Sequence, residues 1–229
     1  MTLELAIRLT EILLGLAFFQ QSLEFLRAAG VEQKLGLLRA LLSFLLMLGV
    51  FPLVICSLLV VTSFVLIQRF HGPYNGGSDT MSMLVLLGVW LSYLAPSRMW
   101  QEIALGYVVL QLVWSYFQAG LVKLVNPEWR SGKALYEVFA LTAYPVSESV
   151  RGLAKKRQLL LSGSWCVIVA ELLFPLAFFN QTTLIMALVC AGCFHLANAI
   201  LFGLNRFVLA WLSAYPLVLW FQQRLFELL

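Results

Sequence analysis

The 229-residue chain is 62% apolar and only 11% charged, against about 25% charged in an average soluble domain. Too few polar side chains are present to cover a water-facing surface, so lipid is the expected solvent for most of the molecule. The net charge of +4 does not point to nucleic acid, because the basic residues gather in short connections between apolar runs, as they do in cytoplasmic loops beside anionic lipid.

A bilayer core takes about 20 apolar residues per helical crossing, which leaves room for about seven. The expected fold is therefore an all-α integral membrane protein: a polytopic bundle of about seven transmembrane helices, forming a single transmembrane domain over residues 1–229 with no soluble domain. The first helix is read over residues 5–26. Glu4, Arg8 and Glu11 break the pattern of a cleavable signal, so this segment is expected to be retained. The second apolar stretch covers residues 37–68, too long for one straight crossing, and Pro52 is expected to kink or break it. The third helix covers residues 81–94 and stops before Pro96. The fourth covers residues 103–123, and the last three cover residues 159–179, 183–202 and 207–221.

Two connections stand out. Residues 71–79 contain Asn75-Gly76-Gly77, which favours a tight turn, and Asp79 and Thr80 are suited to cap the helix that follows. Residues 125–158 contain the turn signal Asn126-Pro127, then Trp129, Gly132 and an amphipathic piece over residues 134–143. That piece is too short to span and is expected to lie at the interface or to re-enter the bundle. Counting basic residues on a seven-helix topology puts the N-terminus and this long connection in the cytoplasm.

Ionisable groups inside apolar runs cost at least about 2.5–3.5 kcal/mol each and need a partner, a wet cavity or a function. Glu11, Lys123, Glu171 and His195 are the candidates. Lys123 ends its helix, where it either snorkels to the interface or is held as a partly desolvated amine able to act as a base. Ala119 and Gly120 beside it permit close approach of another helix or a flat ligand. Glu171 and His195 are either satisfied by neighbouring helices or functional, and a partnership between them across two antiparallel helices is one expectation. Asn198 follows His195 at i+3 on the same face. Gln111, Ser115 and Gln118 share a face that bonds neighbouring helices or lines a cavity. Cys190 and Cys193 form a C-x-x-C inside an apolar helix, where cysteine serves as a small hydrophobe. The scattered carboxylates and single intramembrane histidine do not make a metal-ligand set, so no metal is expected.

Three segments carry a family resemblance. They are Tyr116-Phe117-Gln118-Ala119-Gly120-Leu121-Val122-Lys123-Leu124 followed by Trp129, Gly132 and Leu135; Phe194-His195-Leu196-Ala197-Asn198-Ala199-Ile200-Leu201-Phe202-Gly203 continuing to Arg206-Phe207; and Tyr74-Asn75-Gly76-Gly77. Together the chain resembles the horizontally transferred transmembrane (HTTM) domain family, which includes the membrane domain of vitamin K-dependent gamma-glutamyl carboxylase and its bacterial relatives. The resemblance implies a carboxylase-like membrane scaffold, a quinone or hydroquinone cofactor, and a bacterial inner-membrane location. It implies catalytic roles for Lys123, as the base that deprotonates the hydroquinone, and for His195. It implies substrate contacts from Asn198, Glu171, Tyr116 and Trp129. The carboxylase carries a catalytic histidine in the turn where this chain has Gly77-Ser78-Asp79, and no counterpart of its large luminal domain is expected. Peptide carboxylation itself is therefore not expected. The reading is a membrane-embedded enzyme or enzyme subunit acting on a quinone or lipid-like substrate. The alternatives are a non-catalytic scaffold or maturation partner working beside a thiol-redox protein, and a small proton-coupled transporter using Glu171 and His195.

Overall fold

A computed structural model describes residues 1–69, 76–142 and 146–228. Among them the chain is all helical. The helices in order are α1 (Leu3–Phe25), α2 (Val31–Leu48), α3 (Pro52–Arg69), α4 (Gly76–Leu94), α5 (Arg98–Val125), α6 (Pro127–Arg130), α7 (Lys133–Leu141), α8 (Glu148–Gly152), α9 (Arg157–Leu173), α10 (Gln181–Phe202), α11 (Asn205–Leu212) and α12 (Tyr215–Leu228). Short 3-10 segments, Leu153–Lys155 and Phe174–Phe179, precede and extend α9. Four helical segments are long and apolar enough to cross a membrane: Gly77–Leu94, Arg98–Val125, Arg157–Phe179 and Gln181–Phe202. Many large apolar side chains face outward, among them Phe51, Ile67, Leu110, Val189 and Ile200, as helices solvated by lipid do.

The second apolar stretch is broken, not merely kinked, at Pro52, and forms the two helices α2 and α3. Gly49 ends α2 in the left-handed conformation (φ 75°), a region that L side chains rarely adopt. Pro52 opens α3, where its missing N–H costs nothing. The expected last helix is likewise divided, between α11 and α12. Gly76 to Asp79, expected as turn and cap, already belong to the first turn of α4, while Tyr74 and Asn75 lie outside the described residues.

The chain forms two compact units. The first comprises Met1–Val109 and Arg206–Leu229. Its interior holds Arg39, 1% exposed. The Arg39 Nη1 donates to Thr62 Oγ1 and Ser63 Oγ, each at 2.9 Å, and Nη2 donates to Gln21 Oε1 at 3.0 Å. The Phe18 ring covers the guanidinium at 4.9 Å. Gln21 in turn donates to Asp79 Oδ1 at 3.1 Å, and Asp79 and Glu24 both pair with Arg206. Near the other end of α1, Arg98 joins Glu4 to Glu102, and Arg224 donates to Glu102 at 3.1 Å. Glu11, 2% exposed, accepts from Arg8 and Tyr93. Arg8 also donates to the carbonyls of Leu46 and Met47, a favourable place for a cation at the C-terminus of α2.

The second unit is Leu110–Asn205. Its expected interfacial piece is α7, which buries Phe139 against Leu160 and Phe202 and leaves Tyr136 and Leu141 exposed. Arg151 donates to the carbonyls of Ala140 and Thr142 and so satisfies the end of α7.

Candidate functional site

The site is built where the end of α5 and the segment after it run antiparallel to α9. Gly120 starts the approach. A Cβ there would lie 2.8 Å from the Leu172 backbone N and 3.0 Å from Glu171 Cβ, so only glycine admits α9 at this distance. Asn126 then caps α6, accepting from the Glu128 N–H at 2.9 Å. The α6 segment is tied to α9 by the Ser164 hydroxyl, which donates to the Trp129 carbonyl, and by the Trp165 indole, which donates to the Arg130 carbonyl at 3.1 Å. Gly132 (φ 76°) opens α7 hard against α9, where a Cβ would lie 3.0 Å from Leu161 Cα. The register therefore descends α9 as the chain leaves α5, from Leu172 through Ser164 to Leu161.

This register brings Lys123 onto Glu171. The Nζ donates to Oε1 at 2.8 Å and to Oε2 at 2.7 Å. The side chains are 17% and 11% exposed. The Trp129 ring lies 5.3 Å from Nζ, close enough for a cation–π contact. The Lys123 amine is thus partly shielded, and its partner is Glu171, for which the sequence offered His195 as one expected partner. Glu171 sits fourteen residues into α9, roughly 21 Å along the axis at 1.5 Å per residue.

A second cluster lies one turn further along α9 and two turns back along α5. Tyr116 stacks on Phe174, with ring centroids 4.3 Å apart. Its hydroxyl hydrogen-bonds His195 Nε2 at 3.0 Å. His195 is 4% exposed, and Phe194 meets its ring edge-on at 5.5 Å. Tyr116, Gly120 and Lys123 share one stripe of α5 at i, i+4 and i+7, while Glu171 and Phe174 share one stripe of α9 at i and i+3. Six of the expected site residues therefore divide as follows. Lys123, Glu171 and Trp129 meet in one cluster, Tyr116 and His195 meet in the other, and Asn198 lies one turn beyond His195. The Asn198 carbonyl accepts from the Leu204 N–H at 3.3 Å and closes the end of α10. Ser115 bonds back to the Leu112 carbonyl of its own helix at 2.7 Å, and Gln118 faces outward.

The family model of the HTTM domain matches residues 77–228, more than half of the chain. The chain belongs to the HTTM domain family. The match takes in every residue of both clusters, and so relates this HTTM membrane domain to the carboxylase. No curated protein and no solved structure matches the chain.

Sequence reading does not single out Arg39 as a buried group, although Leu37-Leu38 and Leu41-Leu42 flank it on both sides. That flanking was the available signal. Tyr116 and Phe174 as a stacked pair had no signal, since they lie on different helices.

Proposed function

We propose that this HTTM-domain chain is a membrane-embedded enzyme, or the membrane subunit of one, that acts on a quinone or similar lipid-like substrate through Lys123 and Glu171. The observation that carries the reading is the shielded ion pair itself, deep along a helix long enough to cross the bilayer. A carboxylate and an amine in direct contact can exchange a proton without water. Lys123 would pass a proton to Glu171, leaving a neutral amine and a carboxylic acid. The amine would then take a proton from an acidic hydroxyl, and Glu171 would keep the local charge balanced. The donor set suits a hydroquinone: amine and carboxylate for its hydroxyls, with aromatic walls from Trp129 and Tyr116 and polar contacts from His195 and Asn198. When bound, such a group would supply the acidic hydroxyl and two electrons. The exposed surface around the pair is apolar, including Leu121, Val122, Val169 and Leu173, which favours a substrate that arrives through lipid.

The α2–α3 hairpin changes the proposed topology. With α1, α2, α3 and the α11–α12 segment in the bilayer beside the four long apolar helices, there is one passage more than an unbroken second helix gives. The basic connection from α5 to α9 then stays in the cytoplasm, and α1 begins on the opposite side. The proposed location is a bacterial inner membrane.

The test is purification followed by extraction and mass analysis for a retained quinone, then turnover with added hydroquinone. Lys123→Met is expected to abolish turnover while leaving quinone retention intact. A wild-type protein that neither retains a quinone nor reacts with hydroquinone overturns the reading.

One observation favours a second reading, a non-catalytic scaffold or maturation partner, with a thiol-redox protein as its companion. Both carboxylate oxygens already accept from Nζ, which is what a purely architectural pair would do. In that case the double variant Lys123→Met/Glu171→Leu keeps full function in the cell.

A further inference from the structure

The cytoplasm-facing end proposed for the second unit carries charge that the protein itself does not neutralise. Between residues 126 and 165 there are six cations, Arg130, Lys133, Arg151, Lys155, Lys156 and Arg157, against three carboxylates, Glu128, Glu137 and Glu148. The carboxylates are already engaged. Glu128 and Glu137 pair with Lys133, and Glu148 pairs with Arg151. Lys155, Lys156 and Arg157 are exposed, and among the described residues no ion pair reaches them.

These three side chains stand on a packed base. Leu153 and Ala154, just before them, pack against the cluster of Phe139, Leu160 and Phe202. The Lys156 N–H donates to the Leu153 carbonyl at 2.9 Å, and the Lys156 carbonyl accepts from Leu160 at 3.1 Å. The backbone is thus fixed on both sides of the triplet. The neighbouring elements α7 and α9 leave apolar and aromatic side chains exposed: Leu159 is 54% exposed, Leu141 73%, Tyr136 47% and Trp165 40%. Trp165 is two turns along α9 from Arg157, roughly 12 Å, with its indole N–H fixed to the Arg130 carbonyl. Cations at the start of α9 with an indole two turns along it match the cross-section of a headgroup region above acyl chains.

We propose that Lys155, Lys156 and Arg157 bind the phosphate groups of anionic phospholipid in the adjoining leaflet, while Trp165, Tyr136 and Leu141 sit among the upper acyl chains. The charge complementarity selects an anionic over a zwitterionic lipid, and the rigid base makes it a defined binding surface. The inference does not depend on whether the Lys123–Glu171 pair is catalytic.

The test uses the full chain reconstituted in vesicles of phosphatidylcholine with added phosphatidylglycerol, then extracted and weighed intact to count retained lipid. The triple variant Lys155→Gln/Lys156→Gln/Arg157→Gln is expected to lose the preference for phosphatidylglycerol by about fivefold for each charge removed. Lys133→Gln, which removes a cation already met by Glu128, is expected to keep it. Equal retention in wild type and triple variant overturns the proposal, as does an equal loss in Lys133→Gln. Displacement of the lipid by inorganic phosphate at the same concentration also overturns it, because the site would then be one for free phosphate. Should the triple variant fail to fold, raising the salt concentration on the wild-type protein decides: retention must fall with salt, and salt-independent retention overturns the proposal.

Discussion

Glu171 meets Lys123 because Gly120, one turn earlier on α5, lets the backbone of α9 pass at contact distance. The Nζ lies 2.7 Å from Oε2, and the Gly120 position has no room for a methyl group. Ion pair and small residue are thus one device. The glycine sets the helix separation, and that separation puts the amine within hydrogen-bond reach of the carboxylate.

Breaking this pair from one side is expected to cost about 3–5 kcal/mol, because the remaining charge is shielded and alone. Thermal unfolding in a fixed lipid or detergent should show Lys123→Met and Glu171→Leu each well below wild type. The double variant should recover much of the loss, since two apolar side chains can pack where two charges stood. A double variant as unstable as the sum of the singles would count against the pairing.

Gly120→Ala is expected to destabilise by about 1–3 kcal/mol through overpacking. The obstruction is backbone and Cβ of α9, which cannot rotate aside. Gly163→Ala meets only the flexible end of Leu135, at 3.3 Å, and should cost much less. Gly152→Ala meets nothing within 4 Å and should be neutral or slightly stabilising. The order of the three unfolding midpoints is the check.

Tyr116→Phe should cost about 1 kcal/mol, the net worth of a typical hydrogen bond, because it removes the bond to His195 but keeps the ring on Phe174. Tyr116→Ala loses the stack as well and should cost about 3–5 kcal/mol. Equal effects of the two substitutions would show that the phenol hydroxyl, and not the ring, carries the contact.

Arg39→Lys is expected to be worse than Arg39→Met, against the usual order of conservative substitution. A single ammonium cannot reach Thr62, Ser63 and Gln21 together, so it would remain a poorly partnered buried charge. With methionine, Thr62 still donates to the Leu59 carbonyl at 3.1 Å and Gln21 still donates to Asp79. Comparing the two unfolding midpoints against wild type checks the order.

Composition alone pointed to lipid as the main solvent, because so few charges cannot cover a water-facing surface, and the length of the apolar runs pointed to helices. Local chemistry also marked several breaks: Pro52 opens α3, Asn126 and Pro127 open α6, and Gly120 marks a close approach. Lys123, Glu171 and His195 announced themselves as costly residues in apolar runs. Only the tertiary structure decided who partners whom. Lys123 and Glu171 are 48 residues apart, and Tyr116 and His195 are 79 apart. Helical periodicity tells which side chains share a face but not which helix that face will meet. The same limit hid Arg39, whose partners come from α1 and α3. The register between helices is set by where small residues let backbones touch, as Gly120 and Gly132 do against α9, and that is a property of two surfaces together.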